Sequence, residues 1–278
     1  MNLVLLGRSL RDSWLLLVSC SVMALGFTWL RVWVASHIKV DAFVKFFSEG
    51  LQIFQGLLPV PIEDLASPLG RVAFSFEELG LLMLLGLWTV TRATDCLAGR
   101  IGAGTMEMLL AQPVRRLTLV STHTAVTLAG VMAIGAASWL GVKLGLKFSK
   151  FEDAPPWIKL APAAINFVCL GVFITGAATL ISALVRTRAQ AVGLVIAFYV
   201  IELMLMIVGR LNDRFEWMNR LTILSVYEPT LLTIGLNRDP SAVWLLFWQY
   251  NATLLGLGLA GLAASAAIFC RRDVPAPL

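Results

Sequence analysis

Charge is scarce in this sequence. Asp, Glu, Lys and Arg make up 14% of its 278 residues, where a soluble globular domain carries about a quarter. Histidine is scarcer still, with two copies, and the four cysteines Cys20, Cys96, Cys169 and Cys270 form no C-x-x-C pair. A zinc-finger spacing and a dense disulfide framework are thereby excluded. So few histidines give no arguable Ser/His/Asp set, and neither His37 nor His123 has a matching partner for a metal. The phosphate-cradling pattern G-x-x-x-x-G-K-[ST] does not occur, so the chain carries no ATP site of that kind. The formal charge of +5 comes from basic residues scattered between apolar runs, not from a patch suited to nucleic acid.

Apolar length is what the chain has in abundance. It is 58% hydrophobic, with a mean hydropathy of +0.82. A bilayer core needs about 20 apolar residues in a helix, and six runs qualify: 14–35, 73–92, 117–143, 159–184, 191–211 and 243–270. They predict an all-α membrane protein of six transmembrane helices in a single domain over residues 1–278. The first run is too long for a signal-peptide core and lacks a cleavage site, so it reads as a span. Before it, Leu3, Leu6, Leu10 and Trp14 lie on one stripe of an N-terminal interfacial helix over 1–13. Residues 36–72, with "FVKFF" and "LQIFQGLL", and residues 212–242 read as amphipathic helices on the outer face.

An even number of spans puts both termini on one side. If that side is the cytoplasm, its segments with Arg92 hold ten arginines against four acids, while the opposite side holds twelve basic residues against twelve acids. The ten arginines crowd close to span ends, which favours both termini inside.

One polar, glycine-punctuated insert interrupts this pattern: "CLAGRIGAGTMEMLLAQPVRRL", within 93–116. Thr105 is placed to cap a short helix, Glu107 stands in its first turn, and Pro113 forces its end. Glycines 99, 102 and 104 permit close approach of the backbone to another element.

"GTMEMLLAQPVRRLTLV" resembles the G-T-x-E-x-L-L-x-x-P-V segment of type-2 ATP-binding-cassette exporter permeases. The match falls on Gly104, Thr105, Glu107, Leu109, Leu110, Pro113 and Val114, with Arg115 and Arg116 following. Six spans, an N-terminal interfacial helix and outer amphipathic helices before the last span agree with that family's plan. The resemblance implies that 93–116 is a cytoplasmic coupling segment touching a separate ATPase subunit. It implies that ATP and Mg are bound by that partner, with no cofactor in this chain. It also implies a second permease copy and a multi-pass location in a bacterial plasma (inner) membrane. Where family members often carry a charged Glu/Arg run before the motif, this chain has "CLAGRIGA".

Few other residues invite chemistry. Glu202, inside "FYVIELMLMIVG", is an intramembrane carboxylate and the sharpest candidate for a translocation path; a hydrogen bond to a neighbouring helix would explain it as well. Glu77 and Glu78 head the second span, either facing an outer cavity or simply solvated there. Arg31 and Lys143 read as snorkelling cations near span ends. Gly256, Ala260 and Ala264 form a small-residue stripe on the last span, and Gly141 with Gly145 forms a G-x-x-x-G on the third. Two other functions compete with an exporter subunit: a secondary transporter, which wants an internal repeat that the sequence lacks, and a non-transporting membrane anchor.

Overall fold

The structure, a computed structural model, describes residues 3–38, 60–112 and 115–271. The stretches "FVKFF" and "LQIFQGLL", together with Pro113 and Val114, lie outside the described residues. Those described form helices and connecting turns, with no strand among them. Six helices are long and apolar enough to cross a membrane.

Helix α1 (Leu3–His37) is continuous, so residues 3–13 and the first apolar run form one helix. After it come α2 (Ile62–Ala66) and α3 (Pro68–Ala73). Ser67 caps α3 by accepting from Gly70 N at 3.0 Å, and Pro68 fills the first helical position, where no N–H is needed. The second membrane crossing is α4 (Leu79–Thr94). It does not end where the apolar run ends: a π turn at Asp95–Gly99 carries the helix on to Gly102. The polar insert is therefore shorter than 93–116. Cys96, Leu97 and Ala98 belong to the core and are buried.

Beyond the insert's own short helix α5 (Thr105–Leu110) run α6 (Arg116–Lys147), α7 (Ala161–Leu184) and α8 (Arg188–Leu211). Two 3-10 turns, Asp213–Arg220 and Ile223–Val226, lead to α9 (Pro229–Arg238) and α10 (Pro240–Arg271). Pro229 and Pro240 start the last two helices as Pro68 starts α3.

Helix α7 is the centre of the bundle, with 67% of its apolar window buried against 17% for α8 at the periphery. Packing around α7 depends on missing side chains. A Cβ at Gly176 would stand 2.1 Å from Gly258 O, and one at Gly261 would meet the backbone of Gly176 at 2.9 Å. Helix α1 lies on α6 in the same way: a Cβ at Gly141 would come 2.4 Å from Leu25 O, and one at Gly145 2.6 Å from Val32 Cβ. By contrast, Gly256 has nothing within 4 Å and Ala260 is exposed, so the face of α10 that packs within the chain is Gly258, Gly261 and Ser265.

Buried polar groups pair across helices. Asn166 Nδ2 on α7 donates to Asn251 Oδ1 on α10 at 3.1 Å, and Asn251 Nδ2 donates to Phe247 O. Thr28 on α1 places its hydroxyl 3.0 Å from Ser138 O on α6. Such pairs remove the cost of polar groups held away from water.

Candidate functional site

The insert's short helix is anchored on one side and open on the other. Met106 is buried, packed with Cys96, Leu97, Val120, Ala183 and Phe269, and Leu110 rests against the same cluster. Thr105, Glu107 and Met108 face outward, Met108 with 73% of its surface exposed. Thr105 is not the cap. Gly104 occupies that position with φ 69°, a left-handed conformation glycine adopts without strain, and the Thr105 hydroxyl instead points back toward Arg100 O at 3.3 Å. Gly102 makes the close approach its composition suggested: a Cβ there would meet Arg186 O at 3.2 Å and Thr187 Cα at 3.5 Å. The insert thus touches the connection into α8.

Of the cations that follow, Arg115 is exposed at the cap of α6. Arg116 reaches across to the end of α10, with Nη1 donating to Phe269 O at 3.3 Å and the guanidinium over the Phe269 ring. Leu109 is half-buried.

Glu202 lies on α8, 7% exposed, and its carboxylate meets the segment between α8 and α9, which folds back into the bundle. Oε2 accepts from Ile223 N at 2.6 Å and from the Thr222 hydroxyl at 2.8 Å. Thr222 Oγ1 in turn accepts from Leu224 N, so acid and hydroxyl together cap the 3-10 turn Ile223–Val226. Beside it is a cavity of about 380 Å³ walled by α4, α7, α8 and this turn, with Leu79, Met83, Phe173, Tyr199 and Tyr227 among its lining residues. Among the described residues, Glu202 is the one carboxylate on that wall.

Glu77 and Glu78 are elsewhere. Glu77 accepts from Thr230 N at 3.0 Å, at the start of α9. Glu78 forms an ion pair with Arg31, so neither acid is simply solvated. Lys143 sits 4.7 Å from the centre of the Trp157 ring, a cation–π contact. A further pair, Arg210–Glu228, joins the end of α8 to the start of α9, and burial pushes the Glu228 carboxyl above its usual range against the pull of Arg210. Sequence reasoning missed Thr222, whose role needs a chain reversal no periodicity encodes, and the Asn166–Asn251 pair, whose members stand on different spans.

A family profile described as ABC-2 family transporter protein matches residues 7–274, nearly the whole chain. This chain belongs to the ABC-2 transporter family. No curated protein matches the sequence. As an ABC-2 family protein with six spans, it is a multi-pass membrane protein and a permease component of an ABC transporter. ABC-2 permeases normally work with an ATPase partner, which houses the hydrolytic activity.

Proposed function

We propose that this permease exports a substrate at the expense of ATP hydrolysed by a separate ATPase subunit, which docks on Thr105–Leu110 from the cytoplasm. One observation carries the reading. The docking helix is joined through the π turn to α4, the intervening Gly102 packs on the lead-in of α8, and α4 and α8 both wall the Glu202 cavity. A push on Thr105, Glu107 and Met108 therefore reaches two walls of one cavity through backbone. Buried Met106 prevents the helix from giving way locally. π turns within helices are frequent at functional sites.

In this mechanism two permease copies face each other, and the outward faces of α8 and α10, including Gly256, Ala260 and Ala264, are available to the second copy. Both termini are cytoplasmic, in a bacterial inner membrane. Substrate passes along the Glu202 cavity, and Glu77 and Glu78 hold the outer segments that close it. ATP and Mg reside in the partner. The test is co-purification with the cognate ATPase, followed by hydrolysis assays in liposomes. Hydrolysis stimulated by substrate, with transport into the trans compartment, is expected. A complex that assembles but hydrolyses ATP without moving any solute would instead favour the membrane-anchor function.

A further inference from the structure

A second cavity, of about 410 Å³, opens at the end of the bundle that carries the N-terminus. Its size is in the range of small-molecule sites. The first turns of α1, the π turn, the α5 segment and the start of α6 enclose it. Four charged side chains line it: Arg8 and Asp12 from α1, with Asp95 and Arg100 from the continuation of α4. None of the four makes an ion pair or a side-chain hydrogen bond with another described residue. Arg8 and Asp12 stand exposed at its mouth, while Asp95 and Arg100 are half-buried within it. Here both signs are left open.

The inner wall repeats the pattern. Thr122 Oγ1 and His123 Nε2 are buried without partners, on residues 2% and 3% exposed. Behind them Arg92, 6% exposed, donates from Nη2 to Ser9 Oγ at 2.7 Å and leaves Nε unpartnered. Ser9 itself lines the cavity, and Asp12, Asp95 and Arg100 all lie within electrostatic reach of Arg92. Buried polar groups without partners are rare, and several around one space point to a missing occupant.

The complement of this wall is a zwitterion. Guanidiniums from Arg8 and Arg100, backed by Arg92, match the oxygens of a phosphate. The carboxylates of Asp12 and Asp95 only accept, and match an ammonium bearing three N–H donors. The cavity's position also selects the source. It lies at the end of the membrane crossings, and the α1 face bearing Arg8 and Asp12 continues into exposed Leu15 and Val22, an apolar lane for an acyl chain. We propose that this cavity binds the headgroup of a phospholipid carrying both a phosphate and a primary amine, a phosphatidylethanolamine, from the leaflet at the N-terminal end. The bound lipid joins the first turn of α1 to the segment Arg100–Gln112. The site does not depend on whether the permease exports.

The full-length protein in detergent micelles would be titrated with phosphatidylethanolamine, phosphatidylcholine and phosphatidylglycerol, with retention read by native mass spectrometry. Soluble glycerophosphoethanolamine serves as competitor. Expected is a preference of about tenfold for phosphatidylethanolamine over phosphatidylcholine, the scale of one lost charge-assisted hydrogen bond. D12N combined with D95N should erase that preference while phosphatidylglycerol still binds, a change of selectivity that misfolding cannot mimic. R8Q combined with R100Q should weaken all three lipids. Equal retention of the three by the parent protein would overturn the proposal. So would competition by the soluble headgroup at concentrations equal to the lipid. Arginine variants that keep the lipid but lose the ATPase would assign the cavity to a partner's side chain and overturn it as well.

Discussion

At the scale of single residues, the contacts that hold this bundle are set by what is absent. A methyl group at Gly141 would come 2.1 Å from Thr28 Oγ1 and 2.4 Å from Leu25 O, and a backbone oxygen cannot step aside. Gly141→Ala should therefore cost about 1–3 kcal/mol, the usual scale of overpacking, and lower the melting temperature in detergent. Gly256→Ala, with nothing within 4 Å, should leave monomer melting unchanged, so any effect on assembly reports a subunit contact. Glu202 is separable in the same way. Glu202→Gln keeps an acceptor for Ile223 N and the Thr222 hydroxyl, so assembly should survive while transport changes if the charge serves the path. Glu202→Ala strands both donors and should destabilise by about 1–3 kcal/mol. Thermal melts alongside transport assays distinguish the two, and a Gln variant indistinguishable from the parent in both leaves Glu202 with a capping role alone.

At the scale of elements, α5 is the helix whose sequence and surroundings most differ. Six residues cannot hold a helix in isolation; buried Met106 and the left-handed Gly104 hold it in place. Glu107 stands exposed in its first turn, where a negative charge favours the helix slightly. Glu107→Gln retains size and propensity, so insertion should be normal, whereas docking loses about 1–3 kcal/mol if the carboxylate is partnered there. Quantifying bound ATPase after co-purification tests this, with Glu107→Arg as the stronger variant; full binding by both would remove Glu107 from the contact. The start of α10 offers a pH-dependent counterpart. Asp239 accepts from Ser241 Oγ at 2.6 Å and from the amides of Ser241 and Ala242, and these bonds hold its carboxyl below the usual range. A lowered acid contributes its stability above its unfolded pKa and loses it as pH falls through the folded value. Protection of the Ser241 and Ala242 amides, measured relative to intrinsic exchange at each pH, should fall on acidification below about pH 4, and Asp239→Asn should flatten that dependence.

At the scale of the whole molecule, orientation is the claim on which docking rests. Six crossings put α5 and the α10 terminus at one end and the Asp213–Arg220 turn at the other. Single cysteines at exposed Met108 and Glu216 should label from opposite sides of sealed vesicles, Met108 from the cytoplasm. Labelling of Met108 from outside would reverse the scheme and remove the docking surface from the ATPase's reach.

The six crossings were legible in the sequence because a bilayer demands length and apolarity, and both are properties of consecutive residues. The family was legible for a similar reason, since its segment from Gly104 to Val114 is contiguous. What depends on contact between distant segments was not. Helix α10 carries two small-residue stripes, Gly256–Ala260–Ala264 and Gly258–Gly261–Ser265, equally periodic along the chain, and only the position of Gly176 on α7 selects the second. Residues 93–102 read in sequence as the start of the polar insert, but a π turn continues α4 through them and the cluster around Met106 buries Cys96 and Leu97. Glu202 reads as an isolated charge at depth until the segment after α8 folds back and brings Thr222 and Ile223 to its carboxylate. Arg8, Asp12, Asp95 and Arg100 are unremarkable in sequence, and packing of three helices places them around one cavity. Periodicity specifies which faces are apolar; only packing decides which face meets which, because that choice is made by shape and by the pairing of buried polar groups.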